Sequence, residues 1–377
     1  MYKKISILFI AFLLFLSISG QGMGYEDDYK ELDEFSLSEA YAKGKVLEIY
    51  EEKLDQEISE GILENYQRIL VEITSGDYKG RKVQIENSFI NSPGYEIYVQ
   101  EGDKVLLSVL YDDSGYQKAY VVDFVRDTYI YLLIAMFILL MLLIGRSKGL
   151  KGIISLGVTF LVIYKVMIPQ VFAGRSPVLV TIISSVVIAF ITFAIVSGFT
   201  KKSLSAFLGT FAGLVLAAVL AMLISNAANL TGLSTEESRM LFYVPEFAEY
   251  NMKGILLSGI ILGALGAVMD VCMSIASSTE EIANAGENMS FAQLFKAGMN
   301  VGNDVMGTMT NTLVLAYTGA SLPLLLLLMA YELPFLHLIN FEMLADEIIR
   351  ALIGTIALVA AIPITAMISA LLLKHKS

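Results

Sequence analysis

A chain of 377 residues, 56% hydrophobic and 17% charged, with a mean hydropathy of +0.66, lies outside the soluble range of roughly 45–50% apolar and 25% charged. It reads as an integral membrane protein, which excludes a soluble enzyme, a disordered chain and a nucleic-acid binder. The net charge of −11 is uneven: residues 25–128 hold 24 Asp/Glu against 11 Lys/Arg and the remainder 13 against 15, so an acidic, water-exposed module joins a nearly neutral membrane body.

Residues 1–24 have the form of a secretory signal or an uncleaved N-terminal anchor. Lys3 and Lys4 precede an apolar run from Ile5 to Leu16, and Ser17-Ile-Ser-Gly20 is a small-residue cleavage site. Either version sends residues 25–128 out of the cytoplasm. The acidic stretch 25–42 reads as a flexible linker.

From 43 to 128 the apolar residues alternate, the mark of half-buried strands. Ile69/Val71/Ile73, Val83/Ile85 and Val105/Leu107/Val109 carry the pattern, with Val46 before and Tyr120–Val125 after. Gly76–Gly80, Asn91-Ser-Pro-Gly94 and Asp112-Asp-Ser-Gly115 supply turn chemistry. Five or six short strands predict a small antiparallel barrel of OB-like type. Its acidity would repel a polyanion, so it reads as a spacer or as a docking domain for an envelope protein.

The rest is helical and long enough to cross the bilayer several times. Candidate spans are 129–145, 152–168, 178–199, 204–226, 254–276, 305–330 and 349–373. Basic residues cluster in alternate loops (Arg146, Lys148 and Lys151; Lys201 and Lys202) and in the tail at 374–377 (Lys374, Lys376). Seven spans put all of them inside. Splitting 301–341 at Gly319 and Pro323 gives eight spans and an external C-terminus instead.

Gly209-xxx-Gly213 in the fourth span and Gly259-xxx-Gly263 with Gly266 in the fifth have the spacing of close helix packing. Polar chemistry concentrates in 263–318. On a helix, Asp270, Ser274, Ser277 and Glu281 share one face, and Asp304, Thr308 and Asn311 share another, with Asn303 beside them. A carboxylate within a span costs roughly 2.5–3.5 kcal/mol to insert, so Asp270 and Asp304 should face a cavity, a cation or a proton relay, or else clamp two helices. A second cluster, Asn340, Glu342, Asp346, Glu347 and Arg350, precedes the last span; Glu347 and Arg350 can pair at i, i+3. The single Cys272 leaves no disulfide framework and no cysteine-built metal site. Two histidines, His337 and His375, offer little metal chemistry. No cofactor is implied, and no metal can be named.

The Gly263–Ile282 stretch, Gly302-Asn-Asp-Val-Met-Gly-Thr-Met-Thr-Asn-Thr-Leu-Val-Leu-Ala-Tyr-Thr-Gly319, and Asp346-Glu-Ile-Ile-Arg-Ala-Leu-Ile-Gly354 resemble the YibE/F family of bacterial multi-pass membrane proteins. The resemblance covers roughly 120–373. It implies a bacterial plasma membrane, directs attention to Asp270, Asn303, Asp304, Asn311, Glu347 and Arg350, and supplies no reaction. Three functions compete. The leading one is a permease or channel component that moves a small cation or solute past the Asp270/Asp304 pair. The second is an envelope scaffold acting through residues 43–128. The third, an intramembrane aspartyl protease, is disfavoured because Gly302-Asn-Asp304 lacks the Gly-x-Gly-Asp pattern; serine and metalloprotease motifs are absent from the sequence. The sequence leaves substrate and oligomeric state open.

Overall fold

The computed structural model describes residues 38–59, 62–90, 97–112, 115–245, 250–286 and 289–374. The leader at 1–24, the linker up to residue 37, the turns at 91–94 and 113–114, and the tail after Lys374 lie outside the described residues. The chain divides into two units, one ending at Leu140 and one beginning at Met141.

In the first unit, β1 (Ser38–Ser59), β2 (Ile62–Ile73), β3 (Lys82–Ile90), β4 (Lys104–Asp112) and β5 (Gly115–Phe124) form one antiparallel sheet in the order β3-β2-β1-β4-β5. The alternating apolar residues are its inner face: Val46, Ile69, Val71, Ile73, Val83, Ile85, Val105, Leu107 and Val109 are at most 5% exposed. β1 pairs with β2 through Gly44–Ser59 and with β4 through Ser38–Lys45. The predicted linker therefore ends earlier than residue 42, since Ser38–Ala42 are strand and Ala42 is buried. Register shifts in β1 after Val46 and Ile49 bend the strand, as bulges do, and the sheet curls into a half-barrel. Gly44 sits at the tightest point: a methyl there would come within 2.6 Å of Val71 Cγ1 and 2.7 Å of Leu107 Cδ1. The segment 97–100 is tied to the sheet by buried Gln67, whose side chain donates to Val99 O and accepts from Val99 N, both at 3.1 Å.

The helices are α1 (Asp127–Val162), a π-turn (Ile163–Met167), α2 (Ile168–Phe172), α3 (Pro177–Ser197), α4 (Lys201–Ala227), α5 (Glu236–Tyr243), α6 (Met252–Ala285), α7 (Phe291–Ala320), α8 (Leu322–Ala330), α9 (Phe335–Asn340) and α10 (Glu342–Leu373). Five described helical runs are long and apolar enough to cross a membrane, six when α7 and α8, bent by 62°, count as one.

Two differences from the sequence expectation have local causes. The candidates 129–145 and 152–168 fall in one run from Asp127, broken at Arg146 by a left-handed φ of 46°. The carbonyl of Met141 lies against Gly149, eight residues on. In a straight helix that separation would be about 12 Å, so the chain turns sharply there. The candidate 305–330 begins earlier, at Phe291, where a reciprocal Ser290–Gln293 capping box opens α7. It breaks at Ser321, with Pro323 in the first turn of α8.

α6 is the central helix, in contact with α3, α4, α7 and α10. Its inner face, including Ile260, Ala264, Val268, Cys272 and Ile275, is wholly buried. Gly213 of α4 lets α6 and α10 approach closely: a methyl there would sit 2.9 Å from Val268 Cγ1 and 3.2 Å from Ala361 Cβ.

Candidate functional site

A helix buried on one side exposes the complementary stripe, and on α6 that stripe is unusual for a membrane helix. Gly259, Gly263, Gly266, Asp270 and Glu281 are exposed, with Ser274 and Ser277 half-buried between them. The spacing of three and four keeps all seven on one face. From Gly259 to Glu281 the stripe runs about 33 Å at 1.5 Å per residue, against a hydrocarbon thickness of about 30 Å. No large apolar side chain occupies it.

The glycines of this stripe differ from those of α4. A methyl on Gly259 or Gly266 would meet nothing within 4 Å, while Gly263 lies directly under the hydroxyl of Tyr317. The expected close packing therefore holds for Gly209 and Gly213 but not for Gly259 and Gly266. Near Gly259 the stripe borders a pocket of about 310 Å³ lined by Met167, Phe172, Leu241 and Ile255.

α7 runs alongside, with Gly298 and Gly302 set into the groove between α6 and α10. A methyl on Gly298 would stand 3.0 Å from both Ala366 Cβ and Thr279 Oγ1, and one on Gly302 would collide with Ile362 and stand 3.2 Å from Ile275 Cδ1. These contacts fix the register of the antiparallel pair and set Asp270 near the level of Thr308 and Asp304 near that of Ser274. The two carboxylates are therefore offset by roughly one turn, about 5 Å along the axis. Asn303, Asp304, Thr308 and Asn311 are exposed on the face opposite Gly298 and Gly302, with bare Gly307 among them. Thr308 Oγ1 donates to Val305 O at 3.0 Å, within its own helix. Among the described residues neither Asp270 nor Asp304 has a hydrogen-bond or ion-pair partner. The two polar faces thus lie side by side and look outward; apolar residues and glycine fill the contact between the helices.

The second cluster is brought together except for Asn340, which donates to Leu336 O at 2.8 Å within its own helix. Glu347 and Arg350 form the i, i+3 ion pair at 3.3 Å. Glu342 Oε1 accepts from Thr231 N at 2.5 Å and from Thr231 Oγ1 at 2.7 Å. Asp346 is only 2% exposed, and its Oδ2 accepts from Ser234 Oγ at 2.5 Å. Asp346 Oδ1, Arg350 Nε and the Tyr317 hydroxyl are buried without a partner among the described residues. Tyr317 and Glu347 border a pocket of about 210 Å³, together with Thr318 and Ser321. Tyr317 thus links this cluster to the α6 stripe at Gly263. No group of three His, Cys, Asp or Glu side chains converges on a metal position among the described residues.

Comparison with known proteins yields two matches. The family model described as YibE/F-like protein matches residues 133–375, and that of the YibE/F family N-terminal domain matches residues 39–124. No curated protein and no solved structure matches the chain.

Proposed function

The chain belongs to the YibE/F-like family, whose two models together span nearly all of it, and we propose for it a transport role. In this reading it is a multi-pass plasma-membrane permease or channel component that moves a cation or small polar solute along the outward face of α6 and α7. The observation that carries the reading is the stripe from Gly259 to Glu281, which offers only glycine, hydroxyl and carboxylate groups across a bilayer's thickness. Intramembrane carboxylates are costly to insert unless they meet water, a cation or a polar partner. Asp270 and Asp304 would then provide successive stations, and Tyr317 over Gly263 would narrow the path near one end.

The topology that fits has seven spans, with α1 crossing twice through its turn at Arg146 and α7–α8 counted once. The sheet lies outside and Lys374 inside. Arg146, Lys148, Lys151, Lys201 and Lys202 then all face the cytoplasm, following the positive-inside bias. The cluster around Asp346 would sit at the outer end of the path.

Asp270→Asn and Asp304→Asn test the role of charge, because Asn keeps size and hydrogen bonding but cannot ionise. Each should abolish complementation of a deletion strain, and accumulation of the transported ion or solute, at normal membrane abundance. If the carboxylates only clamp helices, Asn should be tolerated, since interhelical hydrogen bonds contribute about 0.6 kcal/mol on average. Full complementation by both variants would remove the charge from the mechanism.

A further inference from the structure

We infer that a second copy of this chain covers the α6/α7 stripe, so that the polar path runs between two protomers; the inference rests on the transport reading. The outward faces of the other large helices suit lipid. α3 presents Leu179, Ile183 and Val187, α4 presents Phe211, Val215 and Val219, and α10 presents Ile356, Met367 and Leu371. Among the described residues, α6 and α7 by contrast turn Asp270, Asn303, Asp304 and Asn311 outward. Lipid tails cannot satisfy those groups.

The covering surface must bring donors to the carboxylates and acceptors to the amides, with room for close approach. The stripe itself meets each need. The Asn303 and Asn311 amides can donate, and Asp270 and Asp304 can accept. Gly307 stands in the middle of the α7 face, where a methyl would meet nothing within 4 Å. A face that holds donors and acceptors around a bare glycine is self-complementary, the requirement of a two-fold interface. Small residues flanked by Asn and Thr are also the usual means by which membrane helices associate. In the resulting dimer the α7 helices meet near Gly307, and the α6 stripes with Asp270 face the shared seam.

The chain's only cysteine, Cys272, is buried, so Cys272→Ser provides a clean background for cross-linking in native membranes. Asn300→Cys and Leu315→Cys are placed on the outward side of α7, about two turns either side of Gly307, and Leu223→Cys on the exposed apolar face of α4. After treatment with a short bis-maleimide, Asn300→Cys and Leu315→Cys should each give a band at twice the 41.3 kDa monomer, with none above background for Leu223→Cys. Monomer alone from both α7 variants, with the protein at normal abundance and each thiol still labelled by a monofunctional maleimide, would overturn the inference. So would a product of another mass, which would mark a different protein as the cover. Complementation by the cysteine-bearing chains, scored in the same strains, keeps the two readings apart. An active chain that never cross-links to itself rejects the second copy and leaves the transport path standing.

Discussion

Two glycine pairs in this molecule, each on one face of its helix, do opposite things. Gly209 and Gly213 on α4 are filled positions: a methyl on Gly209 would collide with the Thr365 hydroxyl, and one on Gly213 would press on Val268 and Ala361. Gly259 and Gly266 on α6 are empty positions, with nothing within 4 Å of where a methyl would be. The first pair brings three helices together. The second leaves a bare strip beside a carboxylate. Small residues in a membrane helix therefore mark either a packed seam or a passage, and what separates the two is the partner atoms.

The largest expected effect breaks the packed pair. Gly213→Leu forces a branched side chain into the α4–α6–α10 seam, where overpacking costs about 1–3 kcal/mol and occasionally more. Membrane abundance and melting temperature in detergent should both fall sharply. Gly266→Leu should leave both near wild type and still abolish complementation, because it fills the passage without meeting the core. Equal loss of abundance in the two variants would erase the distinction between the pairs.

A smaller effect is expected at Asp346. Asp346→Ala leaves Ser234 without its acceptor, and an unsatisfied buried polar group costs about 1–3 kcal/mol. The variant should melt lower than wild type, while Glu342→Gln, which can still accept from Thr231, should melt close to it.

The sheet makes a second contrast, because its buried apolar face packs on itself. Residues 38–126 expressed without the helices should give a monomer with a β-type circular-dichroism spectrum; a helical or unfolded spectrum would contradict the half-barrel. The least effect belongs to its surface. Arg126 donates to Asp123 and holds that carboxyl below the usual carboxylate range. A depressed folded value contributes stability above the ordinary carboxylate range and loses it as pH falls through the lowered value. Both groups are exposed, so Arg126→Ala should leave the melting temperature of this domain nearly unchanged at neutral pH.

The strand cores were legible because a half-buried sheet writes period two into the chain, as at Ile69, Val71 and Ile73. β1 was legible only at Val46. Its second half, Tyr50–Ser59, is paired with β2 but reads Tyr-Glu-Glu-Lys-Leu-Asp-Gln-Glu-Ile-Ser, with no apolar alternation to mark it. The polar residues of α6 and α7 were legible as faces, since helical spacing alone groups them. Their direction was not, because it depends on which side Gly298 and Gly302 pack, and glycine gives no hydrophobic signal. The contact of Asp346 with Ser234 joins residues 112 apart, and nothing local to either position announces it. The turn at Arg146 rests on a backbone angle that basic residues in a short loop only hint at.

The central claim is that water reaches the α6 stripe, and thiol accessibility reads this without knowing the substrate. In the Cys272→Ser background, Gly266→Cys, Ser274→Cys and Ser277→Cys would be treated in intact cells with a charged, water-borne maleimide, with Leu223→Cys and Ile356→Cys as lipid-facing controls. The account predicts labelling at the three stripe positions, suppressed by prior treatment with a small charged methanethiosulfonate, and none at the two controls. Stripe positions as unreactive as Leu223→Cys, in protein of normal abundance, would contradict it.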